Sequence, residues 1–234
     1  MSARTIEIPA NDGSGRFKAY LSLPEGESGP AIVVIQEIFG INTGMRRICD
    51  DLARRGYIAL CPDLFWRQEP GVELSDAYEA DWQRAFALYK GFDVDKGVED
   101  IAACVAWLRS FPGLKGGVGA VGYCLGGLLA FLTACRTDVE AAVGYYGVGI
   151  DGRLDEAAKI KGRLMLHIAE EDGFVDKAAQ ARIHEGLRGN PRVVLHDYAG
   201  ADHAFARPDG QHWKADAAEL ANQRTADFFA KYLA

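Results

Sequence analysis

The chain has 234 residues, 49% hydrophobic and 25% charged, with a net charge of −7 from 26 basic and 33 acidic side chains. This is the composition of a soluble globular α/β domain with ample core, and no apolar run reaches the roughly 18–20 residues that a membrane helix needs. An acidic balance without a basic cluster argues against nucleic acid or an anionic membrane surface as partner, since both demand a positive field; with no secretory signal pattern, a cytoplasmic location is expected.

In chain order, residues 5–9 and 17–23 alternate apolar and polar side chains on either side of the turn Asn11-Asp12-Gly13-Ser14-Gly15, which predicts two short strands. The continuous apolar run at 31–35 predicts a strand covered on both faces of a parallel sheet, and similar runs recur at 57–61, 118–123, 141–145, 164–168 and 193–195. Between them, residues 43–55 place Met45, Ile48, Cys49 and Leu52 at helical spacing, and residues 94–110 repeat it with Val98, Ile101, Ala102, Val105 and Leu108. Segments 125–135, 177–187 and 215–233 complete the helices. Strands alternating with helices imply βαβ units and a mostly parallel sheet with helices on both faces. Residues 64–93 break the rhythm with aromatic and charged side chains and a Gln68-Glu69-Pro70-Gly71 turn. One helix at about 75–92 is expected there, in a small lid-like insertion within a single domain spanning 1–234.

The five cysteines, at 49, 61, 104, 124 and 135, include no CxxC pair and read as reduced thiols, four of them as buried small hydrophobes. Cys124 differs. Gly122-Tyr123-Cys124-Leu125-Gly126-Gly127 follows an expected strand and precedes an expected helix, which is the nucleophile-elbow pattern with cysteine in the nucleophile position. Glycines at 122 and 126 remove the clash that a sharp strand-to-helix turn creates, and the helix N-terminus favours thiolate. No G-x-S-x-G occurs in the chain. Gly117-Val118-Gly119-Ala120-Val121-Gly122 matches a dinucleotide fingerprint, but its glycines span the strand itself rather than the turn after it, so that reading is rejected.

In this fold the acid and then the base follow the nucleophile along the chain. The run at 164–168 leads into Ala169-Glu170-Glu171-Asp172-Gly173, where Asp172 beside glycine suits the acid best and Glu170 or Glu171 is the alternative. The base falls at His203, after the last strand; His167 and His196 lie within strands, while His184 and His212 lie on or next to helices. Cys124, His203 and Asp172 then serve as nucleophile, base and orienting acid. The N–H groups of Leu125 and of Ile38, in the loop Gln36-Glu37-Ile38-Phe39-Gly40, are nominated for the oxyanion hole. Glu37, a carboxylate at the end of an apolar strand, is either a satisfied ion pair or the group that takes the Cys124 proton.

These motifs, with Cys61-Pro62-Asp63-Leu64, Ala142-Val143-Gly144-Tyr145-Tyr146-Gly147-Val148-Gly149 and His203-Ala204-Phe205-Ala206-Arg207, resemble the dienelactone hydrolase (carboxymethylenebutenolidase) family over nearly the whole chain. The resemblance implies an α/β-hydrolase fold and a Cys124-His203-Asp172 triad. It also implies that Glu37 restrains the resting thiol, pairs with Arg207, and activates Cys124 once a substrate carboxylate claims that arginine. The implied reaction opens an unsaturated lactone of the dienelactone type through a thioester, in the degradation of aromatic compounds, without metal or organic cofactor. A monomer acting on a small anionic lactone or ester is expected, with Arg207, Arg84, Trp82, Phe86, Phe39 and Tyr146 as substrate contacts. The family's second carboxylate-binding arginine, tyrosine and tryptophan fall in register on Trp82, Phe86 and Tyr89, and Arg84 stands two residues further along the expected helix. The catalytic half of the pattern is therefore intact and the substrate half altered. Two other readings follow: a hydrolase of bulkier or neutral esters, favoured by Trp82 and Phe86, and a non-catalytic binding or thiol-sensing protein, which would have no need of His203 and Asp172 in that order.

Overall fold

Two-residue alternation and continuous apolar runs become strands, and 3.6-residue spacing becomes helix. In the computed structural model, which describes residues 1–234, the strands are β1 (Ser2–Pro9), β2 (Arg16–Leu23), β3 (Gly29–Ile35), β4 (Ile58–Pro62), β5 (Leu114–Tyr123), β6 (Ala141–Tyr145), β7 (Arg163–Ala169) and β8 (Val193–Tyr198). The helices are α1 (Thr43–Arg54), α2 (Glu79–Lys90), α3 (Val94–Arg109), α4 (Leu125–Arg136), α5 (Lys177–Leu187) and α6 (Ala215–Leu233). The eight strands follow the order β1-β2-β4-β3-β5-β6-β7-β8 in one mixed sheet. Backbone contacts group the chain into two compact units, Met1–Gly119 with Leu233–Ala234, and Ala120–Tyr232.

In the first unit β1 and β2 pair antiparallel from Ser2↔Leu23 to Pro9↔Arg16, β2 pairs antiparallel with β4, and β3 pairs parallel with β4. Residues 31–35 of β3 are wholly buried, as their unbroken apolar sequence requires. Helix α1 buries Met45, Cys49 and Ala53 along one stripe, and Asn42 caps it by accepting the Met45 N–H at 3.1 Å. Helix α3 is capped by Asp93 and buries Val98, Ile101, Val105 and Leu108 together with one carboxylate, Asp100. That charge is tolerated because three donors satisfy it: Arg67 Nη2 at 2.7 Å, Arg67 Nε at 3.1 Å and Trp66 Nε1 at 2.8 Å. Arg67 also reaches Asp12 at 3.1 Å and Ser14 Oγ at 2.7 Å, tying the β1–β2 turn to α3.

The 64–93 excursion holds a shorter helix than its sequence suggests. It starts at Glu79 rather than near 75 because Asp81 Oδ2 accepts the Ser75 N–H at 2.8 Å, a local turn that competes with helix. The excursion is pinned to the loop after β3, with Leu74 N–H donating to Phe39 O at 2.9 Å and Asn42 Nδ2 donating to Leu74 O at 3.0 Å. Gly40 permits this approach: its φ is +75°, and a Cβ there would meet Val72 O at 1.9 Å.

In the second unit β6, β7 and β8 run parallel, with Tyr145 opposite His167 and His167 opposite His196. Helix α4 is apolar all round, and every residue from Leu125 to Cys135 is buried, so it acts as the core of this unit. The 3₁₀ segment Ile150–Lys159, which lacks 3.6-residue spacing, begins at left-handed Gly149 and is held to α4 by Arg136–Glu156 at 2.6 Å.

Candidate active site

Cys124 stands between β5 and α4 with φ 55° and ψ −115°, a conformation that L-residues rarely adopt. Such strain costs about 1–3 kcal/mol and persists only where surroundings over-determine it. Three features do so here. The Cys124 N–H donates to Tyr145 O at 3.1 Å, and its carbonyl accepts from Gly127 N–H at 2.9 Å as the first turn of α4 begins. A Cβ on Gly122 would lie 1.9 Å from Gly126 O, and one on Gly127 would lie 2.6 Å from Tyr145 O, so both positions demand glycine. The sulfur therefore sits at the positive end of a buried helix, whose first N–H groups, Leu125 among them, have no partner within the helix.

His203 and Asp172 approach one another from the loops after β8 and β7. His203 Nδ1 is 2.9 Å from Asp172 Oδ2 and 3.1 Å from Oδ1, while Asp172 Oδ1 accepts the N–H groups of Phe174 at 2.8 Å and Val175 at 3.2 Å. With Nδ1–H committed to Asp172, the other face of the ring is the one that hydrogen-bonds Cys124. Burial alone would push the imidazole pKa down. The electrostatic influence of Cys124 and the hydrogen bonds to Asp172 and Cys124 outweigh it and raise His203 to about 10. Of the other carboxylates in this loop, Glu171 is solvent-exposed and pairs with Lys177 at 3.2 Å. His184 pairs with Asp197 at 2.8 Å.

A buried network supports these loops. Tyr145 donates to Asn222 Oδ1 at 3.0 Å, so its single proton is spent and Thr225 Oγ1 must donate to it across 2.6 Å. Thr225 then accepts from His167 Nε2 at 2.9 Å, which leaves His167 Nδ1 to accept from Tyr198 O–H at 2.7 Å, and Tyr198 in turn accepts from Arg224 at 3.2 Å. His167 is thus a neutral imidazole of one tautomer, and its pKa lies well below the usual value because of burial and the nearby His196 and Arg224. The backbone carbonyls of Tyr145 and His167 hold Cys124 and Tyr146.

Around His203 stand two aromatic rings, Tyr146 at 5.1 Å and Phe174 at 4.8 Å, both edge-to-face. Phe174 is half exposed and no periodicity in the sequence singles it out; its only signal is its place two residues after Asp172. Asp202 carries no periodic signal either. Arg207 is half-buried, and its N–H closes a turn on Ala204 O at 2.9 Å.

In the first unit, Glu37 is 4% exposed and Ile38 and Phe39 are buried, the loop being braced by Gln36, which donates to Glu37 O at 3.2 Å and accepts the Leu64 N–H at 3.0 Å. Trp82 packs edge-to-face on Phe39 at 4.9 Å and against Phe86 at 5.5 Å, and its Nε1 is fixed on Asp76 O at 2.8 Å. Arg84, on the same helix, is exposed and ion-paired with Glu69.

Known proteins share this sequence and architecture. The family model for the dienelactone hydrolase family matches residues 17–233. The chain is 48% identical over 239 residues to a protein of Azospirillum brasilense, covering 97% of this chain and 98% of that one. It is 41% identical over 230 residues to the carboxymethylenebutenolidase of Pseudomonas putida, covering 98% and 97%. A dienelactone hydrolase from Anabaena variabilis superposes with a TM-score of 0.70 at 20% identity, over 100% of this chain and 99% of that one. A dienelactone hydrolase-like promiscuous phosphotriesterase from metagenomic libraries gives 0.80 at 21% identity over the whole of both chains. The chain therefore belongs to the dienelactone hydrolase family and is an α/β-hydrolase-fold enzyme acting on lactones or esters.

Proposed function

We propose that the protein opens unsaturated lactones of the dienelactone type, with Cys124 as nucleophile and a thioester as intermediate. The observation that carries this reading is the strained Cys124 at the start of α4, hydrogen-bonded by a histidine whose pKa is raised to about 10. The Cys124 thiolate attacks the lactone carbonyl carbon; the ring C–O bond breaks, and the electron pair leaves on the ring oxygen as an enolate, which takes the proton that Cys124 gave up to Glu37. Imidazole of His203, oriented by Asp172, then removes a proton from water as the water attacks the thioester, and the thiolate departs. The N–H groups of Ile38 and Leu125 receive the developing oxyanion. Glu37 restrains the resting thiol and takes the Cys124 proton once an anionic substrate engages Arg207. The name of the Pseudomonas putida relative, carboxymethylenebutenolidase, supports this substrate class. A monomeric, cytoplasmic role in breaking down aromatic compounds fits the same reading.

A second reading concerns the substrate. Phe39, Trp82 and Phe86 pack into one aromatic group, and Arg84 is held by Glu69, which favours a bulkier, uncharged substituent over a second carboxylate.

The test is acid-quenched mass spectrometry during turnover of p-nitrophenyl acetate. An acetyl group on the peptide containing Cys124, removable by hydroxylamine, supports the thioester. An acetyl group on a serine peptide, with Cys124 unmodified, contradicts it.

A further inference from the structure

Asp202 stands one residue before the base, and its carboxylate accepts backbone N–H groups. Its Oδ1 accepts the N–H of His203 at 2.6 Å and the N–H of Gly173 at 3.2 Å. Gly173 follows Asp172, so one carboxylate oxygen joins the loop that carries the acid to the loop that carries the base. The second oxygen, Oδ2, faces His212 Nδ1 at 3.2 Å, and the same ring nitrogen lies 3.1 Å from His203 O. The backbone carbonyl of Asp202 also accepts the Phe205 N–H at 3.2 Å.

The base loop needs such fastening. Ala204, directly after His203, has a φ of +63°, a strained value for a residue with a Cβ. A carboxylate accepting backbone N–H groups makes charge-assisted bonds about twice as strong as neutral ones. The Asp202 side chain is 46% exposed, so its carboxylate is only partly withdrawn from solvent. The His203–Asp172 hydrogen bond exists only while the two loops keep their spacing, and a misplacement of about 1 Å in an active site can cost about 100-fold in rate.

We propose that Asp202 is a positioning residue for hydrolysis: its carboxylate clamps the acid loop to the base loop, so that His203 keeps Nδ1 on Asp172 and its other nitrogen toward Cys124. The inference rests on the Cys124-His203-Asp172 reading. It assigns Asp202 no contact with substrate, and it predicts a defect in kcat rather than in KM.

The experiment compares wild type with Asp202→Ala, Asp202→Asn, Asp202→Glu and Cys124→Ala, all checked for folding by circular dichroism. Steady-state hydrolysis of p-nitrophenyl acetate is read beside the pH profile of Cys124 alkylation by iodoacetamide. Asp202→Ala lowers kcat about 10- to 100-fold, leaves KM within about twofold and shifts the alkylation profile, because the base no longer sits against the sulfur. Asp202→Asn keeps an acceptor oxygen in place and restores kcat to within about threefold of wild type. Asp202→Glu keeps the charge but displaces the oxygen by a methylene, and it falls with alanine; it carries the comparison if the alanine variant does not fold. A kcat within twofold of wild type for both Ala and Glu variants, with Cys124→Ala inactive, overturns the clamp alone. Equal loss in Asn and Ala variants also overturns it, since the acceptor oxygen would then not matter. Wild-type turnover by Cys124→Ala overturns the triad reading and the clamp with it.

Discussion

His203 Nδ1 lies 2.9 Å from Asp172 Oδ2, and both side chains are almost wholly shielded from solvent. The carboxylate that orients the ring also accepts two backbone N–H groups, so it is itself immobile and cannot follow a drifting imidazole. Asp172→Asn replaces that acceptor with an amide whose NH₂ can favour the other tautomer. The expected outcome is a loss in kcat of about 100- to 10,000-fold at pH 7 with little change in KM, measured on p-nitrophenyl acetate. An Asn variant within tenfold of wild type would show that the ring is oriented by something else.

The raised pKa of His203 makes stability depend on pH in a definite direction. Its folded value is about 10 against a usual 6.5, so the folded state binds a proton more tightly than the unfolded chain. The stability this contributes is fully present below pH 6.5 and is lost as pH rises through 10. Urea unfolding midpoints measured from pH 6.5 to 10 fall in the wild type, and His203→Gln flattens that fall.

His167 gives the opposite sign. Its folded pKa is depressed by burial, so the unfolded chain takes up a proton that the folded imidazole refuses. Stability is then present above pH 6.5 and is lost as pH falls below it, with a slope of up to about 1.4 kcal/mol per pH unit. His167→Gln lowers stability at pH 7.5, because Tyr198 and Thr225 lose a partner, but reduces the slope between pH 6.5 and 5. An unchanged slope would mean that His167 is not the group that titrates.

Substrate choice is tested at Trp82. Its ring lies on Phe39 and its Nε1 is tied to Asp76 O, so the helix presents aromatic surface where the family resemblance expects a cation. Trp82→Arg should raise kcat/KM for cis- or trans-dienelactone, relative to a neutral ester, by about tenfold, the value of one charge-assisted hydrogen bond. An identical change for the neutral and the anionic substrate would remove Trp82 from any role in selecting charge.

The elbow was legible because its constraint is local: Gly122 and Gly127 are forced by backbone approaches of 1.9 and 2.6 Å, and such approaches leave a mark in the sequence as glycine. The places of Asp172 and His203 were legible from chain order, since β7 and β8 end just before them. What stayed hidden depends on loops meeting in space. Asp202 and Phe174 occupy positions with no periodicity, and only the folded loops turn one toward Gly173 and the other onto His203. Strand β8 runs to Tyr198, three residues beyond its apolar run, because His196 and Asp197 lie on an edge strand that can leave polar side chains in water. Helix α2 begins late because Ser75 and Asp81 satisfy one another first.

Whether Cys124 carries the reaction is read most directly from the turnover of Cys124→Ala on dienelactone and on p-nitrophenyl acetate beside the wild type. The side chain is small and buried at a glycine-rich turn, so the alanine variant is expected to fold with its midpoint little changed. The kcat/KM is expected to fall by at least about 1,000-fold on both substrates. Hydrolysis by the folded variant at the wild-type rate would contradict it.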